Sequence, residues 1–234
     1  MIDAVRNTVL AILNKNNYGY LSPSDFNLYA QQAQLEIFED YFYQYNTQIN
    51  LENARRSGTD YANLSKGILE VIDLFSKTGS LTQTASAVNT YTMPSDYYIM
   101  NRVMYNGLEV ERVNQGKITM LLNSMITAPS KDFPAYTTEA SIMTVYPTTI
   151  TGASDISAQY VRYPVAPKWT YRAVLEAQGP VFNQSAVDYQ DFELPLDNLN
   201  DLVIKICQYA GVEIREAMVV QYAQAEEQQN NTQQ

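Results

Sequence analysis

The sequence lacks histidine altogether and carries a single cysteine, Cys207, among its 234 residues. Without histidine, Ser-His and Cys-His dyads and His-ligated metal centres drop out. One cysteine excludes an internal disulfide framework and a cysteine-based zinc site. No apolar run approaches the ~18 residues of a membrane span, and the start, Met1-Ile2-Asp3-Ala4-Val5-Arg6, reads as no secretory signal. Basic residues are scarce, 15 against 25 acidic ones, which gives a net charge of −10. Tight binding to a phosphate backbone needs clustered Lys and Arg, and none is seen. Tryptophan occurs once, at Trp169, whereas tyrosine occurs 19 times.

Helical patterning occupies both ends of the chain. Ile2, Val5, Val9 and Ile12 or Leu13 form an apolar stripe at helical spacing. Ser22-Pro23-Ser24-Asp25 is a helix start: Ser22 caps, Pro23 suits the first turn, and Asp25 favours the positive helix end. The helix that follows is expected to reach about Ile49 with two stripes. Phe26, Ala30, Ala33, Ile37 and Tyr41 form one, and Leu35, Phe38, Phe42, Tyr45 and Ile49 the other, so two sides need cover. Residues 51–58 read as a polar connection, and a shorter helix is expected over 60–75, ended by Lys77-Thr78-Gly79. At the other end, Leu199, Val203, Ile206, Ala210, Ile214 and Ala217 predict a helix over 197–224. At ~1.5 Å per residue it would be ~42 Å long and would outrun a compact domain. The polar tail 226–234 cannot bury enough apolar surface to fold alone.

Between them, strands are expected. Residues 97–105 and 108–113 flank Asn106-Gly107, a type I′ hairpin signal. A short helix over 116–124 follows, then strands over 135–138, 141–146 and 156–163, rich in Tyr, Val, Ile and Thr. A further pair joins 169–174 with 179–182. The implied fold is α+β, with N- and C-terminal helices forming a helical bundle and a β-rich (antiparallel, sandwich-like) domain inserted between them. The expected divisions are a helical region 1–78, a β-rich domain 79–193, a C-terminal helix 194–225 and the tail 226–234.

Candidate chemistry is thin. Glu36, Glu39 and Asp40 lie close together on the long helix, and Asp188, Asp191, Glu193, Asp197 and Asp201 cluster before the last one. Carboxylates suit Mg²⁺, Ca²⁺ or an acid-base pair, but no calcium-loop spacing accompanies them, and a solvated acidic face explains them better. No phosphate-binding glycine motif and no GxSxG elbow occurs. The expectation is no catalytic residue, no cofactor and no metal. Tyrosine combines contact area with a hydrogen-bonding tip and is enriched at interfaces. Phe38, Phe42, Tyr45, Tyr97, Tyr98, Ile214, Met218 and Tyr222 are therefore the candidate subunit or partner contacts.

One order of motifs stands out. Asn16-Asn17-Tyr18-Gly19-Tyr20-Leu21-Ser22-Pro23, Phe26-Asn27 and Gln34-Leu35-Glu36-Ile37-Phe38-Glu39 come first, followed by Met93-Pro94-Ser95-Asp96-Tyr97-Tyr98. Val103, Asn106-Gly107 and Val113 lead on to Ser130, Pro134-Ala135-Tyr136, Val145-Tyr146-Pro147 and Gln159-Tyr160-Val161-Arg162-Tyr163-Pro164. The order resembles the neck or ring proteins of crAss-like bacteriophages, similar in role to the head-to-tail adaptors of short-tailed phages. Met93-Pro94 departs from the family's commoner Leu-Pro. The resemblance implies a virion structural protein of the neck or tail and no enzyme. It implies a homo-oligomeric ring, twelve subunits to match the portal protein, among other neck and tail proteins. Double-stranded DNA would pass through the lumen without specific binding, and no membrane is involved. Two other readings stay open: a receptor- or glycan-binding virion protein using the Tyr-rich β region, and a carboxylate-metal hydrolase.

Overall fold

A computed structural model of the protein describes residues 1–13, 21–55, 64–84, 88–172 and 180–214. The fold is mixed α and β, with five helices and largely antiparallel sheets among these residues. The chain divides into two compact units. The first joins Met1–Val71 with Pro164–Gln234, and the second is Ile72–Tyr163.

In the first unit, helix α1 (Ile2–Leu13) buries Ile2, Val5, Val9 and Leu13, the stripe expected from spacing. Helix α2 (Pro23–Arg55) starts where Ser22 predicts, and the Ser22 hydroxyl accepts the Asp25 N–H at 3.2 Å. It continues through residues 51–55, which the sequence reads as connection. No Gly or Pro stops the helix before Arg55. Along α2, Phe26, Ala30, Ala33, Ile37 and Phe38 are buried. After a 3₁₀ turn (Leu196–Asn198), helix α5 (Leu199–Ile214) buries Leu202, Val203, Ile206, Cys207 and Ala210 and packs against both α1 and α2. The expected continuation to residue 224, like the tail, lies outside the described residues. Helix α3 (Leu64–Asp73) occupies the centre of the expected 60–75 segment.

Strands begin earlier than expected. Strand β1 (Ser76–Ser80) contains Lys77-Thr78-Gly79, read from sequence as a helix stop, and pairs antiparallel with residues 157–161. A polar five-residue segment has no alternation to announce it; its partner makes it a strand. In one sheet the order is β1, β9 (Ile156–Arg162), β4 (Tyr97–Tyr105), β5 (Leu108–Glu109). The other runs β2 (Thr82–Gln83), β3 (Thr90–Thr92), β8 (Ile142–Tyr146), β7 (Ala135–Glu139), β6 (Glu111–Arg112), with the β6–β7 pair parallel. Helix α4 (Gln115–Leu122) lies between β6 and β7 in the chain. The β4–β5 turn has Asn106 at φ 47° and Gly107 at φ 84°, the doubly positive conformation that Asn-Gly favours.

The two sheets share one core. Val103, Ile156, Ala158 and Tyr160 come from the first sheet, and Tyr91, Tyr136, Met143 and Val145 from the second. Alternation of buried residues at 156, 158 and 160 is the period-2 signature of a strand with one covered face. Strand β8 ends at Tyr146, joined to Pro147 by a cis peptide. The small pair β10 (Tyr171–Arg172) and β11 (Val181–Phe182) belongs to the first unit.

Candidate functional site

In the first unit the acidic clusters are structural partners. On α2, Glu36 accepts a hydrogen bond from the buried Lys205 ammonium at 2.8 Å and from the Tyr209 hydroxyl at 2.7 Å, and Asp40 lies 3.6 Å from the same ammonium. Burial and then the Glu36 hydrogen bond push the Tyr209 phenol up to about 12. Asp188 pairs with Lys168 at 2.6 Å, and Glu193 accepts the Val165 N–H at 2.7 Å. Asp191 accepts from the Met1 α-ammonium and the Ile2 N–H, each at 2.7 Å, and from its neighbour Phe192 N–H. Desolvation raises the Asp191 carboxyl, but the ammonium and the two amides outweigh it and hold it below the usual range. Among the described residues, no three His, Cys, Asp or Glu side chains gather closely enough to hold a metal ion.

Trp169 is equally committed. It is 2% exposed, with the Arg6 guanidinium 3.8 Å from its ring centroid and Tyr171 and Phe182 stacked at 5.8 Å. Its indole N–H donates to Asp3, and its backbone exchanges hydrogen bonds with the Asn27 side chain. A buried ring cannot serve as a sugar platform. Cys207 is buried too, and desolvation pushes its thiol up to about 11, which makes it a poor nucleophile.

In the second unit the motif segment Met93–Tyr98 forms a clamp. Asp96 accepts from the Lys77 ammonium at 3.2 Å and the Tyr160 hydroxyl at 3.1 Å, while its backbone carbonyl accepts from the Tyr163 N–H. Three strands separated in sequence, β1, β4 and β9, are thereby fixed at one point. Desolvation raises the Asp96 carboxyl, but the Lys77 and Tyr160 hydrogen bonds more than offset it, so it sits below its usual range.

The predicted contact residues divide. Phe42, Tyr45, Tyr97 and Tyr98 are half-buried; Tyr97 packs against the shared core, and Tyr98 meets Tyr163 edge-on at 4.9 Å. Phe38 is only 1% exposed and packs edge-on against Phe42 at 5.1 Å. It is core, because the helix turns that stripe inward at this point. Ile214 ends α5, and Met218 and Tyr222 lie outside the described residues.

A surface the sequence reading missed lies on α4 and the loop after it. Met120 is 74% exposed, Met125 103%, Ile126 94% and Phe133 81%, with Leu122 also exposed. The loop has a defined shape. Ser124 Oγ accepts the Thr127 N–H at 3.2 Å, Ser130 Oγ accepts the Phe133 N–H, and the Ser130 N–H donates to the Phe133 carbonyl. Its base is anchored by a small cluster of Val113, Ile118 and Ala135. The only sequence signal is Met125-Ile126 placed between Ser124 and Pro129, too short to carry a period. No helix among the described residues is long and apolar enough to cross a membrane.

No protein-family model and no characterised protein compared with this chain matches it.

Proposed function

We propose that this chain is the subunit of a homo-oligomeric ring in the head-to-tail connector of a bacteriophage virion. Portal and other neck or tail proteins would be its neighbours, and double-stranded DNA would pass through the lumen. In this reading the helices of both chain ends form a bundle and the β-rich part is a domain inserted between them. The reading starts from the resemblance of the motif order. The observation that carries it is the use made of those motifs. Asp96, Tyr160 and Tyr163 tie strands together, and Asn27 and Gln34 tie α2 to distant backbone. Such ties are what a rigid structural part requires. The charge of −10 suits a wall past which a polyanion slides, since DNA affinity comes mainly from cation-phosphate contacts.

Electron microscopy of the particle, together with the mass of the purified oligomer, tests this directly. Density for a closed ring of this chain between capsid portal and tail is the expected result. A chain that is monomeric in the particle, or absent from the neck, overturns it. Micromolar duplex binding that weakens steeply with salt would contradict the inert lumen.

A further inference from the structure

We propose that the apolar tip of the second unit, Met120 to Phe133, is a self-association surface that seats in a groove on a second copy of the chain. The proposal deepens the ring reading and rests on it. Monomeric proteins rarely leave more than a few hundred Å² of contiguous apolar surface exposed. The tip exposes five large apolar side chains on fourteen residues, a concentration that suits the centre of an interface burying ~800 Å² on each partner. Hydrogen bonds at Ser124 and Ser130 hold it in shape before any partner arrives, so little ordering entropy opposes binding.

The same unit carries a groove that could take part of the tip. A groove of about 280 Å³ is floored by Met100, Val103, Val110 and Tyr136. That is below the ~300–1,000 Å³ of small-molecule pockets and suits one or two inserted side chains. Its lining carries Arg102 and Glu109, paired with each other at 3.6 Å, and Glu111 beside Arg112, all exposed; the tip presents Lys131 beside Asp132, also exposed. Adjacent charges of opposite order on the two surfaces can meet as two ion pairs, which sets register more than strength. The tip also departs from the rest of an acidic chain: residues 113–135 carry Lys117 and Lys131 against Asp132 alone, while the whole chain stands at −10. The locally positive tip therefore meets less repulsion from a second acidic copy than the rest of the surface does. A contact between two different patches repeats from copy to copy, as a ring requires.

The test uses the full chain, by sedimentation velocity and native mass spectrometry over a concentration series. Assembly of the wild type is expected, and Met125→Glu with Ile126→Glu should weaken it by at least ~10-fold in dissociation constant. Both sites are fully exposed, so circular dichroism should be unchanged. Ile126→Cys and Met100→Cys chains, mixed and oxidised, should cross-link between copies; Cys207 is buried and should stay silent. A monomeric wild type overturns the contact, as does assembly indifferent to the tip with no cross-link. So does flotation of a monomeric wild type with phosphatidylcholine vesicles that the Glu variants abolish. Rings that ignore the tip sink the contact and leave the ring reading standing. Tip-dependent assembly that stops at dimers, with no ring in the particle, sinks the ring reading and leaves the contact.

Discussion

Each of the two units is held together by its own means. In the second, regularity does most of the work: alternating side chains of two sheets meet in one core, and the ladders satisfy the backbone. In the first, irregular backbone after residue 163 is tied to helices by individual side chains. Gln34 Nε2 donates to the Val165 carbonyl at 2.8 Å while its Oε1 accepts the Glu193 N–H at 3.1 Å. Asn27 holds both backbone groups of Trp169, Tyr41 donates to Asn198 at 2.6 Å, and Asp191 clamps Met1 and Ile2. A sheet distributes its polar satisfaction over many equivalent bonds. The irregular part of the first unit concentrates it in a few, each bridging more than a hundred residues of sequence, so single substitutions should act more sharply there.

The largest effect should come from Trp169→Ala. It removes the ring between Arg6, Tyr171 and Phe182 and should destabilise the first unit by about 3–5 kcal/mol. Cys207 gives a local readout: native protein should resist thiol reagents at mildly alkaline pH, and the variant should react at lower urea. If the thiol and the circular-dichroism transitions remain coincident in every variant, the units unfold as one and the comparison loses its force.

Met143→Ala is the matching perturbation in the second unit. Met143 is fully buried in the core shared by the two sheets, so a loss of about 2–4 kcal/mol is expected. Hydrogen exchange should then accelerate in β3, β7 and β8. The amides of α1 and α5 should keep their protection if each unit has its own core.

Asp191→Asn should cost about 1–2 kcal/mol, because its partly exposed carboxylate serves a charged and two amide donors. The pH dependence follows from its lowered folded value. The group adds stability above its unfolded value near 3.8, and that contribution disappears as pH falls through the lower folded value. Acid unfolding of wild type should therefore be steeper than that of the variant, a difference absent at neutral pH apart from the constant offset. Identical acid slopes would remove Asp191 from the account.

Gly107→Ala is the mildest. Nothing lies within 4 Å of an added Cβ, so only the φ of +84° is strained. A cost of about 1 kcal/mol is expected, read as a small shift of the urea midpoint with unchanged slope.

Periodicity and local turn chemistry settled a good deal from the sequence alone. Ile2, Val5 and Val9 repeat every three or four residues and so define a helix face wherever the helix docks. Ser22-Pro23 starts α2, and Asn106-Gly107 makes its turn, because capping and positive φ are local properties. Alternation at 156, 158 and 160 marks β9 for the same reason. Tertiary structure decided what has no period. Lys77-Thr78-Gly79 became a strand because β9 was there to pair with it. Phe38 turned from candidate contact into core because neighbouring elements choose which side of the two-striped α2 is covered, and Leu202 and Cys207, outside the stripe read for the last helix, proved buried because α5 packs against both α1 and α2. The Asp96 clamp and the Trp169 hub join residues up to 166 positions apart, and no local rule couples them. Nor does any local rule show whether Met125 and Ile126 are buried or exposed: exposure belongs to the folded surface, and only the packing of Val113, Ile118 and Ala135 beneath the tip decided it.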